Sequence, residues 1–204
     1  MKSTLILIAA CIFAFVLQTA VQGFTDAFIL DSAAVWSRPW TLLTAVFLHA
    51  DLLHLGYNMI ALFFFGAILE SIVGARIFLL LFFIAGLDAS FASLFFYEQS
   101  LGASGAVYGL IGALAVLRPK LTAFALGVPM PMIVVAGVYL ILDILGVFYP
   151  TNIANAAHIA GLFVGALAGL LLRRKFPEPK RRKSEKALSD KEIQEWEKEW
   201  MKNA

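Results

Sequence analysis

Within Gly102-Ala103-Ser104-Gly105-Ala106-Val107-Tyr108-Gly109 a single serine stands where an apolar run begins. A serine hydroxyl becomes a nucleophile once a neighbouring base takes its proton, so Ser104 is a candidate for acyl transfer. It has a plainer reading too, because serine caps helix N-termini and a glycine before it suits a turn. The soluble-hydrolase elbow Gly-x-Ser-x-Gly is not met, since position 106 is alanine. A base is available far down the chain. His158, in Asn155-Ala156-Ala157-His158-Ile159-Ala160-Gly161, interrupts another apolar run, where an ionisable group is costly and therefore a candidate for function.

Two further groups share helical spacing with these. His54 and Asn58 are four apart and lie on one helix face, where both could donate hydrogen bonds to a developing oxyanion alongside the Ser104 backbone N–H. The structural alternative has them bond each other or a neighbouring carbonyl, as polar residues between membrane helices do. Ser104 and Tyr108 likewise share a face, so the tyrosine ring could pack beside an imidazole held against the serine. His158, Gly161 and Gly165 stripe one face of the last apolar run, and small residues at that spacing let helix backbones approach closely.

The elements that position these residues must be membrane spans. Of the 204 residues, 61% are hydrophobic and 15% charged, which is too apolar for an ordinary soluble domain. Apolar runs at about 4–22, 52–69, 77–96, 104–117, 126–148 and 153–172, separated by polar or Gly/Pro punctuation, predict six spans. The first is read as an uncleaved helix in preference to a signal peptide. Residues 23–50 carry Phe24, Phe28, Trp36 and Trp40 beside Asp26, Asp31 and Arg38, a composition suited to the membrane interface. The fold class is therefore all-α, a polytopic six-helix bundle over 1–173, followed by a basic tail over 174–204. Cys11 is the only cysteine, so no intrachain disulfide and no metal cluster is expected.

Basic residues near the span ends orient the bundle. With the N-terminus inside, Lys2, Arg76, Arg118, Lys120 and the tail are cytoplasmic, and Arg38 alone is outside. Counting back from Arg118, Arg173 and Glu70 at ~1.5 Å per residue puts Ser104, His158 and His54 at one level, roughly 21–24 Å above the inner boundary. A fourth span starting at Ser104 is too short to cross, so the loop before it, with Leu101 and Gly102, must dip into a protein-lined, wet recess.

Taken together, Gly102-x-Ser104-Gly105 with Tyr108, His49 and His54-x-x-x-Asn58, and Ala157-His158-x-x-Gly161-x-x-x-Gly165 resemble the three signature regions of the rhomboid intramembrane serine proteases. The resemblance spans about residues 4–173. It implies an endopeptidase cleaving in or near transmembrane segments of other proteins, with Ser104 as nucleophile, His158 as general base and no third carboxylate. His54, Asn58 and the Ser104 N–H would form the oxyanion hole, His49 would be structural, and Glu70 resembles the family's acidic residue at the inner end of the second span. Arg38-Pro39-Trp40 departs from the Trp-Arg order common in the family.

No cofactor or metal is implied, nucleic acid is not a partner, and the expected partners are transmembrane protein substrates and membrane lipids. Two other classes compete: a non-catalytic binding or dislocation factor of the same fold, and a transporter, for which Asp88 and Asp143 are the main support. Both aspartates read as structural, since no spacing ties either to Ser104. In the tail, 11 of the chain's 16 Lys+Arg follow residue 172, a topology anchor that also attracts anionic lipid. Ser189-Asp190-Lys191-Glu192 reads as a capping box opening an amphipathic helix with Ile193, Trp196, Trp200 and Met201.

Overall fold

A computed structural model describes residues 1–125, 127–149, 153–179 and 190–202. Pro150-Thr151-Asn152, the basic run Arg181-Arg182-Lys183 and Ser189 of the capping box lie outside the described residues.

Helix α1 (Lys2–Ala20) is followed by the short α2 (Phe24–Phe28), the two-residue strand β1 (Leu30–Asp31) and α3 (Thr41–Thr44), which tightens into a 3₁₀ turn at Ala45–Phe47. The second span is built from α4 (Leu52–Ala61), a π-helical stretch over Leu62–Gly66, and α5 (Ala67–Val73). Asp51 caps it, its carboxylate accepting from the His54 N–H at 2.7 Å. Then come α6 (Ala75–Ser93), β2 (Gln99–Ser100), α7 (Ser104–Leu117), β3 (Thr122–Ala125), β4 (Val128–Pro131), α8 (Met132–Phe148), α9 (Asn155–Leu172) and α10 (Asp190–Lys202). The protein is a membrane protein built as a helical bundle. Lys2–Ala20, Leu52–Val73, Ala75–Ser93 and Asn155–Leu172 are long and apolar enough to cross a bilayer unaided, while α7 and α8 are shorter.

The 14-residue α7 is the axis of the bundle: 11 of its residues are buried, with Leu110, Ala113 and Leu114 wholly so. It is glycine-rich on the side facing α9. A Cβ on Gly161 would fall 2.1 Å from the Gly105 carbonyl oxygen, and one on Gly165 only 1.8 Å from that of Gly109. The two backbones are in contact, a proximity that only glycine permits. The bundle's outer surface carries Phe13, Leu80, Phe163, Leu167 and Leu171, all exposed, as a bundle without water around it allows.

Glu70 ties the C-terminal half of the second span to the start of α1. Its carboxylate accepts from the Ser3 and Thr4 N–H groups at 3.1 and 3.0 Å, from the Thr4 hydroxyl at 2.7 Å, and pairs with the Met1 amino group at 3.0 Å. A carboxylate at a helix N-terminus satisfies donors the helix itself cannot.

Two expectations need correction. The apolar run at 126–148 does not become helical until Met132, because β3 and β4 pair antiparallel in a hairpin, Thr122 opposite Pro131 and Ala125 opposite Val128. Pro129 and Pro131 supply no backbone N–H and resist the helix interior, and Gly127 takes φ +78° at the turn. The run at 77–96 stops being helical at Ser93, and β2 pairs with β1, Leu30 opposite Ser100. That small sheet joins the interfacial segment to the loop that leads to Ser104. Gln99 donates to Asp31 at 3.3 Å and, with the Ala33 and Ala34 N–H groups and Arg38, holds the Asp31 carboxyl below the usual range against some desolvation.

Candidate active site

Ser104 is the first residue of α7, and its side chain does not cap the helix. The hydroxyl instead lies 2.7 Å from His158 Nε2, a hydrogen bond between the first turns of α7 and α9. Glycine contact between these two helices is what allows it: with side chains at Gly105 and Gly161 the backbones could not come so close. The His158 ring is clamped from the side by Tyr108, stacked at 4.2 Å between centroids and 13° between planes. The α9 start is secured separately, Ala156 N–H donating to the Tyr97 hydroxyl at 3.0 Å.

The loop before α7 supplies the other wall. Gly102 adopts φ +123°, and its N–H donates to the Ala45 carbonyl at 2.9 Å. A Cβ there would meet His54 Cε1 at 2.8 Å and Nε2 at 2.9 Å, and Ser104 Oγ at 3.8 Å. Glycine at 102 is thus needed twice, for its backbone and to make room for the His54 imidazole beside the serine. Ala50 N–H donates to His54 Nδ1 at 3.3 Å, so the proton of the neutral ring belongs on Nε2, the nitrogen turned toward Gly102. Asn58 is buried one turn on, with one amide proton donated to the His54 carbonyl at 2.9 Å and the second without a partner among the described residues.

His49 is buried behind this group, its ring edge-on to His54 at 5.2 Å, and its backbone is clasped by Gln18, which donates to the His49 carbonyl at 3.2 Å and accepts from its N–H at 3.0 Å. Gln18 escaped the sequence reading, since one amide in an apolar helix carries no spacing signal. Asp143, which the sequence offered only as a structural aspartate, is the larger correction. Its Oδ1 lies 3.0 Å from His158 Nδ1, so a carboxylate does stand against the histidine, contrary to the expectation that none would. Asp88, on α6, is not among the residues that line the space around Ser104.

Two large cavities meet at Ser104. One, of about 1610 Å³, is lined by His54, Asn58 and His158 and rises past Tyr97, Glu98 and Gln99 to Asp31 and Asp51. The other, of about 580 Å³, is apolar and runs between the second span and α8 along Phe64, Phe65, Phe124 and Tyr139. The described residues contain no cluster of three or more metal-ligating side chains.

A bundle of apolar helices with a serine and a histidine hydrogen-bonded at the floor of a polar recess defines a class of polytopic membrane protein. The chain belongs to the rhomboid family, whose domain model matches residues 37–175. It is 36% identical over 138 residues to rhomboid protease GluP of Bacillus subtilis, covering 65% of this chain and 26% of that protein. It is 34% identical over 138 residues to RHOMBOID-like protein 6, mitochondrial, of Arabidopsis thaliana, covering 67% and 44%. The chain therefore spans less than half of these two relatives. With rhomboid protease GlpG of Haemophilus influenzae it shares 27% over 176 residues, covering 83% of this chain and 90% of that one.

Proposed function

We propose that this chain is an intramembrane serine endopeptidase acting on peptide bonds in or near the transmembrane segments of other membrane proteins. The observation that carries the reading is the 2.7 Å contact between Ser104 Oγ and His158 Nε2 within a recess roomy enough for a chain and water. Named rhomboid proteases among the relatives support it.

In this reading His158 Nε2 accepts the Ser104 proton as Oγ attacks the substrate carbonyl carbon. The resulting oxyanion is met by His54 Nε2–H, the spare amide proton of Asn58 and the Ser104 N–H, which as the first in α7 has no partner within the helix. The imidazolium then gives its proton to the leaving amine as the C–N bond breaks, leaving an acyl-serine. Water enters through the polar cavity and adds to the acyl carbon as His158 takes its proton; the acyl–Oγ bond then breaks, His158 returns the proton to Ser104, and the acid leaves. The apolar cavity suits the hydrophobic part of a substrate segment next to the scissile bond.

We also propose that both termini are cytoplasmic and that the recess opens on the opposite side. Residues 1–173 then form the proteolytic unit, and the 174–204 tail lies at the inner leaflet, where its basic residues meet anionic lipid. The test of the chemistry is cleavage of a membrane-anchored reporter by purified protein. Ser104→Ala and His158→Ala should each abolish it while the protein stays folded in detergent. Full activity in either variant would overturn the mechanism.

A further inference from the structure

Of the 17 residues of α8, only Met132, Val135, Ala136 and Asp143 are buried, and the first three belong to its inner end. The one buried side chain further out is a carboxylate, 97% removed from solvent, and its Oδ1 is 3.0 Å from Nδ1 of the likewise buried His158. The opposite edge of the same ring faces Ser104. A serine, a histidine and an aspartate from three separate helices thus stand in line.

We propose that Asp143 is a positioning residue: it holds His158 in the Nδ1–H tautomer, so that a bare Nε2 faces Ser104, and it stabilises the imidazolium formed during acyl transfer. This deepens the reading above and rests on it. A neutral imidazole has one proton for two nitrogens, and a base for Ser104 exists only if that proton is on Nδ1. A carboxylate only accepts, so beside Nδ1 it selects the productive tautomer. Tyr108 cannot do this, because stacking fixes the plane of the ring and is indifferent to which edge faces the serine. Plane and edge are two constraints, and the structure meets them with two residues. During the reaction the Nδ1 proton stays on nitrogen, the carboxylate stays unprotonated, and the proton that moves is the serine's, through Nε2 to the leaving amine.

The competing account is that Asp143 merely ties α8 to α9. Three variants of the full chain, Asp143→Asn, Asp143→Ala and Asp143→Glu, separate the two when measured beside wild type and Ser104→Ala. The readouts are kcat and KM on the reporter, melting temperature, and ¹⁵N NMR of histidine-labelled protein, which has three histidines to assign. Loss of the positioning group should lower kcat by up to about 10⁴-fold with KM within a few-fold, the scale seen when an orienting carboxylate of a serine hydrolase is removed. Glu should recover part of that loss, and the His158 Nδ1–H signal of wild type should disappear in Asp143→Ala. Wild-type kcat in Asp143→Asn, an effect on KM or melting temperature alone, or an unchanged tautomer in Asp143→Ala would overturn the proposal. If Asp143→Ala does not fold, the near-isosteric Asn variant decides. If wild type cleaves no better than Ser104→Ala, the endopeptidase reading has failed, and the tautomer measurement still decides the role of Asp143.

Discussion

At the scale of single residues the cluster depends on small groups as much as on reactive ones. Gly102 illustrates this, since a methyl group there would overlap the His54 ring at 2.8–2.9 Å while the backbone is held at φ +123°. Gly102→Ala should therefore push the imidazole out of the recess. We expect kcat to fall by about 10²–10³-fold with KM little changed, matching Asn58→Ala, as for loss of an oxyanion donor. Steady-state kinetics on the reporter checks it, and an effect confined to KM would reassign both residues to substrate binding. Ser104, His158, His54 and Asn58 were legible in the sequence because each is a polar group in an apolar run, where its presence needs a reason. Asp143 was equally conspicuous, yet its partner was not. His158 lies 15 positions away on the next helix, and neither 3.6-residue periodicity nor depth counting gives the rotation of one helix about its axis relative to the next.

Elements show the same division. Six apolar runs announce themselves by length and composition, whereas the hairpin over 122–131 is disguised, because its second strand continues without a charged residue into α8. Only Pro129, Pro131 and Gly127 signal it, and prolines near a helix start are ordinarily unremarkable. Contact between α7 and α9, by contrast, could be anticipated from glycine spacing, and it sets a strong expectation. Gly165→Val would place atoms 1.8 Å from the Gly109 carbonyl oxygen, a backbone atom that cannot step aside. It should destabilise the protein by about 1–3 kcal/mol or more and remove activity by drawing His158 away from Ser104. Gly137→Ala on α8, where nothing lies within 4 Å, is the control and should leave the melting temperature unchanged. Equal melting temperatures for the two variants in one detergent would refute the helix-contact argument.

For the molecule as a whole the question is which side of the membrane the recess faces. The expected topology is checked with single cysteines in a Cys11→Ala background. Ser104→Cys should react slowly with a small water-soluble thiol reagent added from the extracytoplasmic side, through the polar cavity. Leu114→Cys, wholly buried and ~15 Å further along α7, should not react. Reaction of position 104 from the cytoplasmic side alone would invert the orientation proposed here.

The π-helical stretch at Leu62–Gly66 bears on how this chain compares with its relatives. A π turn holds one residue more than the α turn it replaces, so an insertion is absorbed locally and the helix on either side keeps its facing. Without it, the added residue would rotate Glu70 by ~100° relative to Asn58, and either Glu70 would leave Ser3 and Thr4 or Asn58 would turn out of the recess. Any relative whose second span is uninterrupted α-helix should therefore align with a one-residue gap inside 62–66, its His-x-x-x-Asn motif in register before the gap and its acidic residue in register after it. An alignment forced through without that gap will misassign one end of the helix or the other.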